Sequence, residues 1–475
     1  MAIKKLLRKT QCLDERIVKD FLMQALGIVA TDIKRYVKHP GVDFTRKRKL
    51  DPFTVMLALI TMDHKDSVAA AIDCFCGRKD YLFNKERPCE SAYYKARCKL
   101  EADAFAAVMK EFNRLVMEDR GYQLDTTDGL VMYAIDGTKV SVPYNPDADT
   151  FSPQGEKRGY NQEHISTING LNSRIYEDLI IKGVTCYNEP REAFEMIERT
   201  FGEGSIPRLF IMDRGYSSTN LFAHISVMKN TYFLIRLKKN WANIMKKLPQ
   251  NQEYDITLEI TITTSKKDLL HHPDDGTIWM YVAKAHYNHR KKSPNWDFEN
   301  KFHLKLRFVS VCINPDKEDG DPNKYEYLVT NLPDCPYTTA KLKKYYSMRW
   351  GIETSYRDLK YAVDLVDFHS NDQELIRQEI YAAFIRYNFS MFIIKLAINK
   401  LAKKLRGKYE YSPRRATAFD MCQQYLKEAW IKSPEGGRLI PRMLKILEPI
   451  RPDRPDRRKA VHQKPAKGFT YRNAA

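Results

Sequence analysis

No stretch of this 475-residue chain stays apolar for the roughly 20 residues a membrane-spanning helix needs; the longest apolar run, Met56–Met62, stops far short. The opening MAIKKLLRKTQCLDER carries positive charge but has no apolar segment behind it, so it lacks the form of a secretory signal. Both absences lead us to expect a cytoplasmic protein with no membrane partner. Cysteine is scarce, nine in all, which excludes a disulfide framework. Cys74, Cys76, Cys89 and Cys98 lie near one another, but their spacing fits no common zinc pattern, and buried thiols are the expectation. Internal repeats are absent. Acidic residues are outnumbered, 60 against 79 Lys and Arg, leaving a formal charge of +19. That excess favours a polyanionic partner, nucleic acid before anionic membrane. An apolar content of 43% suits a folded chain, long enough for roughly two to four domains.

What is present divides by pattern. Residues 1–120 read as helical. DERIVKDFLMQALG places Ile17, Phe21, Leu22 and Leu26 at helical spacing, and LDPFTVMLALITM does likewise. Before the latter stand Arg46, Lys47, Arg48 and Lys49, a run suited to phosphate. A long helix is predicted from Ser91 through SAYYKARCKLEADAFAAVMKEFNRL, with Tyr93, Tyr94, Lys95, Arg97 and Lys99 interleaved in a way that suits DNA contacts and equally the ordinary basic surface of a helical bundle. Residues 125–237 alternate strands and helices, the mark of an α/β core. In that region LVMYAIDGTKVSVPY predicts two strands with a turn at Asp136-Gly137. Residues 238–337 read as an all-β insertion, from EYDITLEITITT to YEYLVTNL. Helices return over 338–400 and 401–450. The final segment, 451–475, holds eight Lys or Arg against two Asp and predicts a chain without a core of its own.

Two aspartates end apolar runs, Asp136 in YAIDGT and Asp213 in LFIMDRGYSS. In an α/β sheet, functional groups gather at the carboxyl ends of strands. A third acid, Glu353, lies in YSMRWGIETSYRDLK. A helix turns about 100° per residue, so Tyr346, Arg349, Glu353 and Lys360 fall close to one face of that stretch. Three convergent carboxylates repel one another unless a cation sits between them. Mg²⁺ prefers oxygen ligands, and two ions about 4 Å apart can serve both the attacking and the leaving oxygen of phosphoryl transfer. A carboxylate so used brings its helix along a DNA backbone, where Tyr346, Arg349 and Lys360 can hold flanking phosphates.

Asp136, Asp213 and Glu353, with the Tyr-x2-Arg-x3-Glu-x6-Lys spacing around the last, resemble the DDE transposases of bacterial insertion sequences, in the insertion sequence 4 branch. The resemblance covers most of the chain, including the order of its parts. It implies a ribonuclease H-like core interrupted by the β insertion, with helical regions at either end. It implies Mg²⁺ (two ions, with Mn²⁺ as substitute) held by the three acids. It also implies cut-and-paste transposition on double-stranded DNA by a homodimer, in a bacterial cytoplasm at the chromosome. In relatives of this branch a flipped base at a DNA hairpin stacks on a Trp of the insertion. Here YEYLVTNL offers Tyr325 and Tyr327 at the corresponding strand, and Trp241 follows the basic LKKN; any of the three can stack a base. Trp279 and Trp296 are expected to be core or loop anchors. Two further readings compete: a metal-dependent nuclease or resolvase on the same core, and a non-catalytic DNA-binding relic. The presence of all three acids argues against decay. His271, His272, Asp274 and Asp275 read as a polar turn rather than a metal site.

Overall fold

The structure is a computed structural model. It describes residues 13–62, 67–76, 88–155, 157–202, 204–272, 277–282, 298, 300–318, 320–321, 323–363, 365–366, 368–402, 411–427 and 439–449. The basic segment 451–475, Trp296, Asp274 and Asp275 lie outside the described residues.

The N-terminal part is helical, as its periodicity predicts. Helix α1 (Glu15–Thr31) starts where the Asp14 carboxylate accepts from the amides of Arg16 and Ile17. Helix α2 (Pro52–Thr61) starts at Asp51, with Pro52 in its first turn. Helix α3 (Val68–Cys76) follows. The single long helix expected from Ser91 is two, α4 (Glu90–Arg97) and α5 (Asp103–Met117). The break lets Val37 pair with Leu100 and lets Glu374 accept from the amide of Ala102. Arg97, expected to face DNA, is 3% exposed and pairs with Glu379 at 3.1 Å; Tyr93 is buried as well. Cys89 is exposed, so the expectation of buried thiols fails there.

One large mixed sheet forms the centre. Its strands are β1 (Val131–Val142), β2 (Phe151–Gln154), β3 (Lys157–Gly170), β4 (Tyr176–Gly183), β5 (Arg208–Met212), β6 (Thr231–Leu237), β7 (Tyr254–Thr263), β8 (Ile278–Tyr281), β9 (Lys301–Cys312) and β10 (Tyr325–Thr330). The order is β2-β3-β1-β5-β6-β10-β9-β7-β8, with β4 beyond β3. The segment 238–337 is therefore not a separate sheet: β10 pairs with β6, so its strands lengthen the same sheet. After α6 (Glu189–Phe201) and α7 (Thr219–Ser226) between the earlier strands, this segment adds two short helices, α8 (Asn243–Lys247) and α9 (Lys266–Leu270). The predicted turn at Asp136-Gly137 is absent. β1 runs straight through it because one partner, β3, pairs with both halves, from Tyr133↔Gly170 to Val142↔Asn161.

β1 shows how the sheet is packed. Side chains alternate between faces along a strand. Val131, Tyr133 and Ile135 join the apolar cluster under α6 (Glu189–Phe201) and α7 (Thr219–Ser226). Met132, Ala134, Val140 and Val142 join the cluster on the other face, with the N-terminal helices and the three helices α10 (Thr339–Met348), α11 (Trp350–Tyr361) and α12 (Gln373–Ala402). Helix α12 is long and apolar enough to cross a membrane, but 89% of its apolar window is buried inside the protein, so it serves as the core helix of this layer. Asn388 on α12 fixes it to the sheet, donating to the Tyr176 carbonyl (2.8 Å) and accepting from its amide (3.0 Å). The chain closes with β11 (Tyr411–Pro413), α13 (Arg415–Lys427), α14 (Leu439–Met443) and β12 (Leu447–Pro449).

Candidate active site

Strand register brings the two aspartates together. β1 and β5 are parallel, and the last paired residues are Ile135 and Met212. Asp136 and Asp213 follow directly, so they stand side by side where β5 ends. Alternation turns Asp136 toward the face covered by α11. Asp213 leaves the strand to cap a short turn, its carboxylate accepting from the Gly215 amide at 2.7 Å.

Glu353 arrives from α11. The sequence stretch predicted as one helix is two, α10 and α11, joined at Arg349, where the amides of Arg349 and Ile352 bond three residues back, to the carbonyls of Tyr346 and Arg349. Arg349 reaches Glu353 at 3.1 Å and Asp136 at 3.6 Å. The guanidinium therefore binds a carboxylate from the strand to one from the helix, and Asp213 lies within electrostatic reach of it. Tyr356, one turn beyond Glu353, donates to the Asp136 carbonyl at 2.6 Å and also meets Thr167 at 2.7 Å. It locks the Glu353 helix onto β1 at the aspartate itself. Nothing in the sequence distinguished this tyrosine from an ordinary helix residue.

Burial raises the Asp136 carboxyl to about 6; the Gly137 amide and Arg349 oppose the rise, while Asp213 and Glu189 add to it. A carboxylate with that environment favours a cation beside it. Among the described residues no three His, Cys, Asp or Glu side chains are gathered closely enough to ligate one ion. Arg349 stands in the space between Asp136 and Glu353. The donors themselves are all oxygen, as a hard divalent cation requires. The Tyr216 hydroxyl, fully buried and without a hydrogen-bond partner among the described residues, lies within reach of Asp136, Glu189 and Asp213.

The other predicted residues fare differently. Tyr346 is only 4% exposed, and burial pushes its hydroxyl up to about 12; that hydroxyl has no partner among the described residues. The phosphate contact expected of it is not open from solvent in this arrangement. Lys360 is half-buried without an ion pair among the described residues, and burial lowers its pKa. Arg46, Lys47, Arg48 and Lys49 are exposed in the segment leading to α2. Of the proposed stacking aromatics, Tyr327 is a correction: strand alternation turns it into the core, 7% exposed, where no base reaches it. Trp241 is half-buried, its ring on Phe222 at 5.5 Å and its indole N–H donating to the Ser217 carbonyl at 3.0 Å. Tyr325 is half-buried at the start of β10, with Lys324 over its ring.

A sheet carrying two aspartates on adjacent parallel strands, met by a glutamate on a covering helix, defines the acid-triad class of phosphoryl-transfer sites. Residues 127–389 match the transposase DDE domain. The chain belongs to the DDE transposases, enzymes that cleave DNA and transfer strands and depend on divalent metal. It is 23% identical over 427 residues to the transposase InsG of insertion sequence element IS4 from Escherichia coli strain K12, covering 87% of this chain and 84% of that one. Among solved structures it is similar to the piggyBac transposase in a synaptic complex with hairpin DNA, with a TM-score of 0.44 and 12% identity over 93% of this chain and 87% of that one.

Proposed function

We propose that this transposase binds the terminal inverted repeats of an insertion sequence, excises the element by cut-and-paste and joins its 3′-hydroxyls to target DNA. It acts as a homodimer on DNA, in the bacterial cytoplasm at the chromosome and without a membrane partner. The observation that carries this reading is the register that sets Asp136 beside Asp213, with Glu353 tied to the first through Arg349. The strands β4-β3-β1-β5-β6, antiparallel then parallel, have the arrangement of a ribonuclease H-like core, and β7 to β10 extend it.

Asp136, Asp213 and Glu353 would hold Mg²⁺, two ions in all, with Mn²⁺ as substitute. Such cations, when bound, activate an attacking oxygen and stabilise a leaving one. The remaining roles belong to this chain's own side chains. Arg349 holds the acid helix against the strand before DNA arrives and exchanges a carboxylate for a phosphate when it does. Lys360, desolvated and paired with no anion among the described residues, is placed to take a backbone phosphate. Tyr356 fixes the distance between helix and strand. The N-terminal helices, with Arg46 to Lys49 exposed among them, serve DNA ends.

Excision is the direct test. A marker is set between the DNA segments that flank this reading frame, wild-type or Glu353→Ala protein is supplied in trans, and the donor junctions are sequenced. Precise loss of the marker with wild type alone is expected. No loss with either protein overturns the cut-and-paste reading. Nicking of a generic plasmid in Mn²⁺ would then indicate a nuclease, and its absence a DNA-binding relic.

A further inference from the structure

Two glycines follow the two aspartates, Gly137 directly and Gly215 two residues on. Neither has the positive φ that commonly demands glycine. Space explains them instead. A Cβ on Gly215 would stand 2.8 Å from Glu189 Oε2 and 3.0 Å from Asp213 Oδ1. A Cβ on Gly137 would stand 2.5 Å from His164 Nε2 and 3.2 Å from Glu189 Oε1. Gly215 is cleared for this carboxylate and Gly137 for His164 and then for it, so Glu189 lies between β1 at Gly137 and the turn after Asp213.

Glu189 is held there. It opens α6, and His164, 2% exposed, meets its Oε1 at 3.4 Å. His164 in turn stacks on Tyr187 at 4.0 Å and faces the fully buried Glu192 at 3.8 Å. Glu192 is anchored by Ser166, by Lys182 at 3.3 Å and by the Asn188 amide at 3.0 Å. An acid in the first turn of a helix is ordinarily explained by the helix dipole. That explanation requires neither a buried histidine behind the carboxylate nor two side-chain-free positions in front of it. The fully buried Tyr216 hydroxyl, without a hydrogen-bond partner among the described residues and within electrostatic reach of Asp136, Glu189 and Asp213, is a second sign that this pocket of acids is built around a ligand.

We infer that Glu189 is a fourth carboxylate of the metal site, serving a divalent cation on the side of Asp213, with His164 as its positioning residue. The inference rests on the three-acid reading proposed above. The test uses the full-length, DNA-free protein and Mn²⁺ alone, with free Mn²⁺ counted by electron paramagnetic resonance up to millimolar concentration. Glu189→Gln is expected to weaken Mn²⁺ binding at least tenfold and to raise by a similar factor the Mn²⁺ concentration that half-saturates plasmid nicking. Gly215→Ala should move both in the same direction, because its Cβ displaces the carboxylate. Glu195→Gln, farther along the same helix, should leave both unchanged. If Asp213→Asn loses Mn²⁺ while Glu189→Gln binds it as wild type does, the inference falls and the three-acid reading stands. If Asp213→Asn binds Mn²⁺ like wild type, or if wild type binds none, both fall.

Discussion

Asp136→Asn should make the metal-free protein more stable at neutral pH while abolishing its chemistry. Burial lifts the Asp136 carboxyl from 3.8 to about 6, against the pull of the Gly137 amide and Arg349. The folded state thus holds this proton more tightly than the unfolded chain does. The stability gained from that proton is fully present below the ordinary value near 3.8 and is lost as pH rises through about 6. Every tenfold gain in proton affinity corresponds to about 1.4 kcal/mol, so the ionised form costs about 3 kcal/mol, an upper figure because the side chain keeps 21% exposure. About half of that change falls between pH 5 and pH 8. Asparagine does not titrate, so the mutant should gain on wild type across that interval by about 1 to 1.5 kcal/mol. The assay is thermal unfolding of both proteins in chelator at pH 5 and pH 8, at one scan rate. In a chain of this size the gain is expected as a shift of a few degrees at most. A mutant advantage no larger at pH 8 than at pH 5 would refute the reasoning, since it would mean that Asp136 is not penalised for its charge.

Other perturbations test neighbouring parts of the structure. Lys360→Met removes a desolvated ammonium with no counter-ion among the described residues; it should raise the unfolding temperature, weaken DNA binding and reduce the salt slope of that binding by about one. For Glu379 burial opposes the charge, yet Arg97 and His369 hold the carboxyl down to about 2. Its contribution is present above the ordinary value near 4.5 and fades as pH falls toward 2, so Glu379→Gln should cost about 3–5 kcal/mol at pH 7 and less at pH 4, read by denaturant unfolding. Trp241→Phe keeps the ring against Phe222 and loses one hydrogen bond to Ser217; it should cost about 1 kcal/mol and leave excision junctions unchanged, which sequencing of those junctions would check.

How legible was this in the sequence? Strands with strong local pattern were plain: EYDITLEITITT holds β7 and YEYLVTNL opens with β10. Errors came where a local signal competed with pairing. Asp-Gly is a common turn pair, yet at Asp136-Gly137 a continuous ladder to β3 outweighs it. The β-rich segment read as an independent unit because alternation reports local structure and says nothing about which edge a strand will join. Tyr327 was a base-stacking candidate by chemistry, but strand alternation put it in the core. The three acids each carry a local signature: two end apolar runs and the third sits in the Tyr-x2-Arg-x3-Glu-x6-Lys spacing. Tyr356, His164 and Glu189 carry none, since their roles depend on residues from 25 to 220 positions away in the chain.

The charge balance of the site has its own logic. Asp136, Asp213 and Glu189 lie within electrostatic reach of one another in a half-buried pocket, and Glu353 is tied to it through Arg349, 7% exposed. An unpaired buried charge is costly, so an all-acid pocket without a cation would open or protonate. A guanidinium among the carboxylates relieves that cost in the protein alone, and it reaches across from the very helix that must close on DNA. A backbone phosphate can draw the guanidinium away by offering it a bidentate partner. On the reading proposed above, the same exchange frees Asp136 and Glu353 to strengthen the hold on a metal that the DNA-free protein already binds on the side of Asp213, and so couples substrate binding to metal binding through Arg349. Arg349→Lys, which keeps the charge but loses the fork, should bind Mn²⁺ without DNA at least as well as wild type, yet respond less to added DNA. If DNA raises Mn²⁺ affinity equally in both proteins, the coupling does not run through this residue.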